Sequence, residues 1–239
     1  MELGQKLLSR LFPSRCILCQ HTVDQGAEHQ VEICTDCYRA LPHNSVCCVC
    51  CALPLAAGID SGVLCGRCIQ KLPAFDYAHS LFRYEDSVIG LVHRLKFAEK
   101  ISYARTIGEL LLRKLRESGE KPGCLLPVSL HVSRLRQRGF NQSIEISRVI
   151  ARRTGIPIEY DAVIRHRRTS AQTGLDARQR KKNIRGAFSM VKPLHYEHVL
   201  IIDDVMTTGA TVNELARMLK QNQVKRVGVL CIARAPVKG

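Results

Sequence analysis

Large aromatic residues are scarce in this sequence, and tryptophan is absent. Only 5% of the 239 residues are aromatic, so a platform for stacking nucleobases has little support. No stretch approaches the roughly 18 to 20 apolar residues of a membrane-spanning helix, and we expect no membrane span. Acidic residues are also few, with 21 Asp and Glu against 36 Lys and Arg. This excess of positive charge predicts attraction to polyphosphates or nucleic acid.

The start of the chain predicts a cytoplasmic protein. Residues 1–10 could form a short amphipathic helix, and they contain no apolar h-region, so no secretory signal is expected. The composition, 46% hydrophobic and 24% charged, is that of a globular protein long enough for one medium domain and one small domain. In a reducing cytosol, paired cysteines bind metal rather than form disulfides.

Cysteine is abundant, and it is concentrated at one end of the chain. Ten of the twelve cysteines precede residue 70 and fall in Cys-x-x-Cys spacing. Two thiolates three residues apart fit one turn, and two such turns complete the tetrahedral shell of zinc. The clear pairs are Cys16/Cys19, Cys34/Cys37 and Cys65/Cys68, while a third pair within 47–51 is either Cys47/Cys50 or Cys48/Cys51.

These pairs predict two zinc sites of a structural kind, each with four cysteine ligands. All four positions of each site are filled by protein, so no position is open for water or substrate. A tandem use of the pairs along the chain is simpler than an interleaved one, and both fit the spacing. Cys124 and Cys231 lie in apolar runs, and we expect them to be buried thiols.

A different pattern lies near the other end of the chain. Residues 199–202 are apolar, Asp203 and Asp204 follow, and a Thr- and Gly-rich turn leads into a helical pattern over 212–220. A buried strand thus brings two carboxylates and a turn to a helix N-terminus, at the edge where open parallel sheets bind ligands. The turn suits a phosphate, and the acids suit a diol or hydrated Mg²⁺. Together they indicate that the ligand of this site is a phosphorylated sugar.

This run resembles the 5-phosphoribosyl-1-pyrophosphate (PRPP) loop of type I phosphoribosyltransferases. The resemblance implies an α/β fold with a parallel-sheet core. It also implies that Asp203 and Asp204 hold the ribose hydroxyls, directly or through Mg²⁺, and that Thr207–Thr211 bind the 5′-phosphate. The expected PRPP-binding residues are Asp203, Asp204, Val205, Met206, Thr207, Thr208, Gly209, Ala210 and Thr211.

The two patterns together resemble ComF/GntX-type proteins, bacterial proteins linked to DNA uptake and utilisation. The run Cys51-Ala52-Leu53-Pro54 resembles the Cys-Gly-Leu-Pro that closes this knuckle in the family, which favours Cys48 and Cys51 over the alternative pair. Ala52 departs from that pattern, since it replaces the Gly. The resemblance thus implies the zinc ligands Cys16, Cys19, Cys34, Cys37, Cys48, Cys51, Cys65 and Cys68. Further matching segments are Tyr84 with Leu91, Leu95, Lys96 and Phe97, the stretch Arg138–Ser143, and Arg168–Thr169 with Gln172, Leu175, Arg178, Arg180, Asn183 and Phe188.

The resemblance implies two domains. Residues 1–73 would form a double zinc ribbon with two four-cysteine sites, and 74–239 a phosphoribosyltransferase domain. Within the latter, 74–120 would supply a leading strand and helices and 121–239 the PRPP-binding core. The local patterns predict strands over 77–84 and 124–128 and helices over 86–99, 101–118 and 144–154.

Two basic segments are candidates for ligand contact. In phosphoribosyltransferases the loop after the first core strand contacts pyrophosphate, and the resemblance implies this role for 129–138. Its guanidinium groups suit the role because they bind phosphate oxygens in pairs, and Arg138 joins Asp203 and Asp204 as a proposed catalytic residue. Residues 165–185 are either a solvated charged loop or, as the resemblance implies, the hood of a phosphoribosyltransferase, which closes over the substrate. In the hood, the residues facing the site would be Thr169, Gln172, Arg178 and Asn183.

Two functions fit these patterns. The first is an enzyme that binds PRPP with Mg²⁺ and transfers ribosyl 5-phosphate to a nitrogen nucleophile. The second is a non-catalytic component of the DNA-uptake machinery that senses PRPP or binds single-stranded DNA and protein partners, such as a helicase or other competence proteins. Residues 134–185 carry +10 of the net charge of +15, which allows contact with a DNA backbone as well as substrate steering.

Overall fold

The computed structural model describes residues 14–23, 31–56, 58–60, 62–97, 101–166 and 184–236. The helices and strands in these ranges are α1 (Thr35–Ala40), α2 (Gly66–Gln70), β1 (Tyr77–Arg83), α3 (Asp86–Phe97), α4 (Ile101–Ser118), β2 (Cys124–Pro127), α5 (Val132–Arg138), α6 (Gln142–Thr154), β3 (Val163–Arg165), β4 (Phe188–Met190), β5 (His198–Met206), α7 (Ala210–Gln221) and β6 (Arg226–Arg234).

Four of these strands form a parallel sheet in the order β1–β6–β5–β2. Strand β5 pairs with β6 over its whole length, whereas its pairing with β2 ends where Pro127 lies opposite Ile202. Strands β3 and β4 form a separate antiparallel pair. The predicted α/β fold with a parallel sheet is therefore confirmed.

Both faces of the sheet are covered, as alternate residues of β5 show. Val199 and Ile201 belong to the apolar cluster that includes helix α7, while Leu200 and Ile202 belong to the cluster that includes helices α4 and α6. All four side chains are fully buried. A parallel strand with two buried faces is apolar throughout, which explains the uninterrupted apolar run that precedes the acids.

The cysteine-rich head contacts both faces and one edge of this sheet. Its first part, which includes Ile17, joins the apolar cluster of α3 and α4, and its second part, which ends near Phe75, joins the cluster of α7. Between the two parts, the backbone of His43 forms an isolated antiparallel β-bridge with Phe82 of strand β1. The head thereby covers an edge strand that would otherwise offer unpaired backbone groups.

The predicted strand over 77–84 and the predicted helices over 86–99 and 101–118 are present, except that 98–100 lie outside the described ranges. Helix α6 begins two residues earlier than the predicted 144–154, because the Asn141 side chain accepts a hydrogen bond from the Ser143 amide and caps the helix. None of the helices in the described part of the chain combines the length and apolar character needed to cross a membrane.

The prediction of a loop over 129–138 is wrong for residues 132–138, which form helix α5. At its start the His131 side chain accepts a hydrogen bond from the Ser133 amide, and at its end Gly139 adopts φ 74 and closes the helix. These two caps explain why a short basic segment is helical. The expected loop is therefore reduced to a few residues after β2.

Candidate functional site

The eight cysteines proposed as zinc ligands form two separate groups. The thiol sulfurs of Cys16, Cys19, Cys34 and Cys37 lie within 4.8 Å of one another, and so do those of Cys48, Cys51, Cys65 and Cys68. We call these the first and second cysteine groups. The pairs are therefore used in tandem.

The geometry of both groups fits a tetrahedral metal ion. The Cys19 and Cys34 sulfurs are 3.7 Å apart and the Cys51 and Cys65 sulfurs 3.6 Å apart. Four thiolates about 2.3 Å from zinc would be separated by about 3.8 Å. Backbone amides also donate to the sulfurs, as the Cys65 amide does to Cys48 at 3.3 Å. The two groups of four cysteines thus support structural zinc.

The neighbouring cysteines of the third knuckle lie outside the second group. Burial raises the pKa of the Cys47 and Cys50 thiols, which favours their neutral form. Ala52 adopts φ 52, in the left-handed region that glycine enters without strain. This conformation explains why a Gly is suited to the position that Ala52 occupies here.

The two acids lie at the carboxyl edge of the sheet. Asp203 and Asp204 are part of β5, directly after Ile202, the last residue opposite β2. Their side chains turn towards the backbone: Asp203 accepts from the Asp204 amide at 2.9 Å, and Asp204 accepts from the Val205 amide at 2.6 Å. Beyond the end of β2, the strand thus brings both carboxylates to the edge where ligands of parallel sheets bind.

The carboxylates are close enough to disfavour double ionisation. Burial raises the pKa of Asp203 to about 8, and the charge of Asp204 adds to the rise. The ammonium of Lys96 acts in the opposite sense, since it lies 3.0 Å from an Asp204 carboxylate oxygen. The carboxylate oxygens of the pair are the kind of ligand that Mg²⁺ takes, and they can also accept hydrogen bonds from a sugar diol.

The β5–α7 turn, residues 206–211, links the acids to a helix N-terminus. Gly209 takes φ 76 and precedes helix α7 without a side chain to cap it. Thr208 accepts from the Ala210 amide at 3.3 Å. Exposed hydroxyls and first-turn amides of this kind bind phosphate oxygens, so the turn provides the expected complement to the acids.

A chain of hydrogen bonds connects two matching segments to the acid pair, which Lys96 contacts directly. Arg138 donates to the Gln142 side-chain oxygen at 3.4 Å, and Gln142 donates to the Lys96 carbonyl at 3.4 Å. The Asn141 side chain donates to the Val128 carbonyl at 3.0 Å. This chain of contacts joins Arg138 through Lys96 to Asp204 and brings the residues after β2 to the same edge.

The four proposed hood residues Thr169, Gln172, Arg178 and Asn183 lie outside the described ranges. Within the described part, sequence reasoning missed the role of Lys96 and missed Arg234 entirely. Arg234 is 3% exposed, and one of its terminal nitrogens donates to the carbonyls of Met206 and Thr207. A charged residue at the carboxyl end of the long apolar strand β6 was the available signal.

Comparisons with known proteins agree with this architecture. Residues 7–73 match the double zinc ribbon domain, and residues 141–239 match the phosphoribosyl transferase domain. A solved structure described as the allosteric regulatory enzyme of purine biosynthesis is similar with a TM-score of 0.40 and 19% identity. The matched region covers 59% of this chain and 30% of the other protein's chain. This likeness is too distant to support a functional conclusion.

Curated relatives match over nearly the full length. DNA utilization protein YhgH of Escherichia coli strain K12 is 34% identical over 227 residues, 93% of this chain and 97% of that protein. Competence protein F of Haemophilus influenzae is 29% identical over 242 residues, 95% of this chain and 100% of that protein. The chain therefore belongs to the ComF/GntX family, in which a double zinc ribbon precedes a phosphoribosyltransferase domain.

Proposed function

We propose that this chain binds PRPP with Mg²⁺ at the carboxyl edge of β5 and transfers its ribosyl 5-phosphate to a nitrogen nucleophile. The observation that carries the proposal is the junction of the acid pair with the β5–α7 turn at one sheet edge. In this proposal residues 1–73 form the zinc ribbon and 74–239 the transferase domain.

The residues divide into three roles. Asp203 and Asp204 hold the ribose hydroxyls, directly or through Mg²⁺, and the turn at 207–211 binds the 5′-phosphate. Arg138 binds pyrophosphate, because its guanidinium presents paired donors to phosphate oxygens. Lys96 lies beside Asp204 and keeps part of the acid charge balanced before the ligand binds.

The reaction breaks the bond between ribose C1 and the pyrophosphate oxygen, and both electrons leave with pyrophosphate. The lone pair of the acceptor nitrogen forms the new bond to C1, and a proton from that nitrogen passes to solvent. Bound Mg²⁺ supplies positive charge that stabilises the leaving pyrophosphate. The chain's own contribution is to position the sugar and to place Arg138 where negative charge develops.

Calorimetric titration of the two-zinc protein with PRPP, with and without Mg²⁺, tests this site. The double variant Asp203→Asn/Asp204→Asn should lose at least about 100-fold in affinity, since two charged contacts are removed. The matched control is Glu197→Gln, an exposed acid that precedes the other end of β5 and pairs with Lys225. Equal binding by the double variant and the control would refute the assignment.

A second candidate function is binding of single-stranded DNA. It is favoured by the names of the relatives, which refer to DNA utilisation and competence, together with the charge of +10 in residues 134–185. Because aromatic residues are scarce there, we propose contacts with the phosphate backbone and no sequence preference.

Fluorescence anisotropy with a labelled oligonucleotide tests the DNA proposal. Affinity should fall steeply between about 50 and 200 mM salt. Replacement of the exposed Arg136 and Arg152 by Gln should reduce the slope of log K against log salt by about 0.7 for each phosphate contact that is removed. Absence of binding at low salt, or binding that salt does not weaken, would exclude this function.

A further inference from the structure

Arg234 connects the β5–α7 turn to the zinc ribbon. One terminal nitrogen of its guanidinium donates to the Met206 carbonyl at 2.8 Å, to the Thr207 carbonyl and to the Ala235 carbonyl at 3.1 Å. Its Nε donates to the Cys51 carbonyl at 3.1 Å. A single buried side chain therefore contacts both the turn and a residue of the second cysteine group.

The guanidinium is held in a fixed position by these bonds. Among the residues that the structure describes, no carboxylate pairs with Arg234, and its hydrogen-bond partners are backbone carbonyls. A buried charge without its hydrogen bonds is strongly unfavourable. If the Cys51 carbonyl moves, the guanidinium must therefore lose a bond or move with it, and the carbonyls of Met206 and Thr207 are affected.

The position of the Cys51 carbonyl depends on the knuckle around it. The Cys51 thiol belongs to the second cysteine group, and the Ala52 amide donates to the Cys48 carbonyl at 2.9 Å. The Asn44 side chain donates to the Ala52 carbonyl at 2.8 Å. Zinc bound at Cys48 and Cys51 would fix both ends of this short turn.

A second bond joins segments that adjoin these two regions. The amide of Ala74, just after the ribbon, donates to the Asn213 side chain in the first turn of α7 at 2.7 Å. The first cysteine group is attached elsewhere: the Ile17 carbonyl accepts from Tyr103 of α4 at 3.0 Å. Only the second group is thus linked, by contacts in the described ranges, to the turn.

We propose that zinc in the second cysteine group positions the β5–α7 turn through Arg234, so that occupancy of this metal site sets the affinity for the phosphorylated sugar. Arg234 is then a positioning residue, and the zinc site is a determinant of ligand binding although it does not touch the ligand. The effect on ligand affinity rests on the proposed function, whereas the mechanical link does not.

Hydrogen–deuterium exchange without ligand tests the link independently of PRPP. In Arg234→Met, with both zinc ions retained, exchange of the 206–211 amides should rise at least about tenfold, the effect of losing a charged hydrogen bond. Arg234→Lys keeps the charge without the planar guanidinium. Its exchange rate at 206–211 should lie between those of wild type and Arg234→Met. The matched control is Arg226→Met at the start of β6, which pairs with Glu120 and should leave these amides unchanged.

Loss of each zinc ion extends the test. Cys51→Ser, with one zinc ion retained, should raise exchange of the same amides, whereas Cys19→Ser should raise exchange around Tyr103 in α4. Combining Cys51→Ser with Arg234→Met should give no further rise at 206–211, because both changes break one connection.

PRPP affinity then separates the two proposals. Affinity should fall at least about tenfold in Arg234→Met and in Cys51→Ser. If the wild-type protein does not bind PRPP, the proposed function fails, and the exchange data still decide the link. The proposed link would be overturned by unchanged exchange at 206–211 in Arg234→Met. It would also be overturned by equal effects of Cys19→Ser and Cys51→Ser on these amides.

Discussion

The two cysteine groups have the same ligands and different surroundings. In the first group only Cys16 is buried, and Cys19 is exposed, whereas all four cysteines of the second group are buried. The first group packs on the face of the sheet that helices α3 and α4 cover, and the second contacts Arg234, the residue that holds the β5–α7 turn. The same metal chemistry thus attaches the head to the core at one site and supports the candidate ligand site at the other.

Burial is the physical basis of this difference. A thiolate in water is solvated when its metal is lost, while a buried thiolate must be protonated or exposed. Loss of metal from the second group therefore affects the packing around its cysteines. Through Arg234, it also affects the β5–α7 turn. Loss of metal from the first group affects a surface that is already partly hydrated.

The largest difference is expected when one ligand of each group is replaced. Cys51→Ser should reduce the zinc content from two to one and the free energy of unfolding by about 3 kcal/mol or more, because a buried metal site is lost. Cys19→Ser should also reduce the zinc content by one ion. It should lower the free energy of unfolding by about half as much as Cys51→Ser does, because its site is partly exposed. Zinc analysis and thermal unfolding measure both effects.

Cys47→Ser provides the control within the same knuckle, since Cys47 lies outside the second group. It should retain two zinc ions. Equal destabilisation by Cys51→Ser and Cys19→Ser would remove the distinction between the two sites.

A smaller effect is expected at the acid pair, from the pH dependence of stability. The raised pKa of Asp203, about 8, means that the folded protein binds this proton more tightly than the unfolded chain. The free energy of unfolding therefore falls as the pH rises from the ordinary pKa of an aspartate, about 4, towards about 8. Asp203→Asn should remove that loss, although Asp204 and Lys96 still face the position.

Thermal unfolding without Mg²⁺ at pH 5.5 and 7.5 measures this effect. The melting temperature of wild type should fall more between the two values than that of Asp203→Asn, by several degrees for a chain of this size. The exposed Glu197→Gln variant should behave like wild type. Parallel pH dependence of wild type and Asp203→Asn would show that Asp203 is not destabilised by its surroundings.

The smallest effect is expected at the attachment of the first group. Tyr103→Phe removes the hydrogen bond to the Ile17 carbonyl, at 3.0 Å, and should cost about 1 kcal/mol, or about 2–4 °C in melting temperature. Zinc content and PRPP affinity should be unchanged. A fall in PRPP affinity similar to that of Cys51→Ser would mean that both groups control the ligand site.

Local patterns were sufficient to predict the buried strand β5, the main helices and three of the four cysteine pairs. The choice of Cys48/Cys51 over Cys47/Cys50 came from the resemblance, and the tandem grouping became clear only in the fold. Apolar runs report burial on two faces, and Cys-x-x-Cys spacing reports a turn that presents two thiols. The segment 132–138 was expected to belong to a loop because the resemblance implies a pyrophosphate-binding loop after strand β2. Its helical form depends on caps at His131 and Gly139, and such short-range hydrogen bonds leave only a weak trace in composition.

The contacts that build the candidate site could not be read from spacing. Lys96 reaches Asp204 across more than 100 positions of sequence, and Arg234 reaches Cys51 across 183. Such pairs arise from how helix α3 and the zinc ribbon pack against the carboxyl edge of the sheet. Residue type can suggest that a buried charge has a partner, but only the folded arrangement identifies that partner.

The most direct test is a crystal structure of the two-zinc protein with PRPP and Mg²⁺. We expect the 5′-phosphate on the amides and hydroxyls of 207–211 and the ribose hydroxyls or metal beside Asp203 and Asp204. We also expect Arg234 to keep its bonds to Cys51 and the turn. PRPP bound away from the β5–α7 turn, with the acid pair making no contact to sugar or metal, would contradict it.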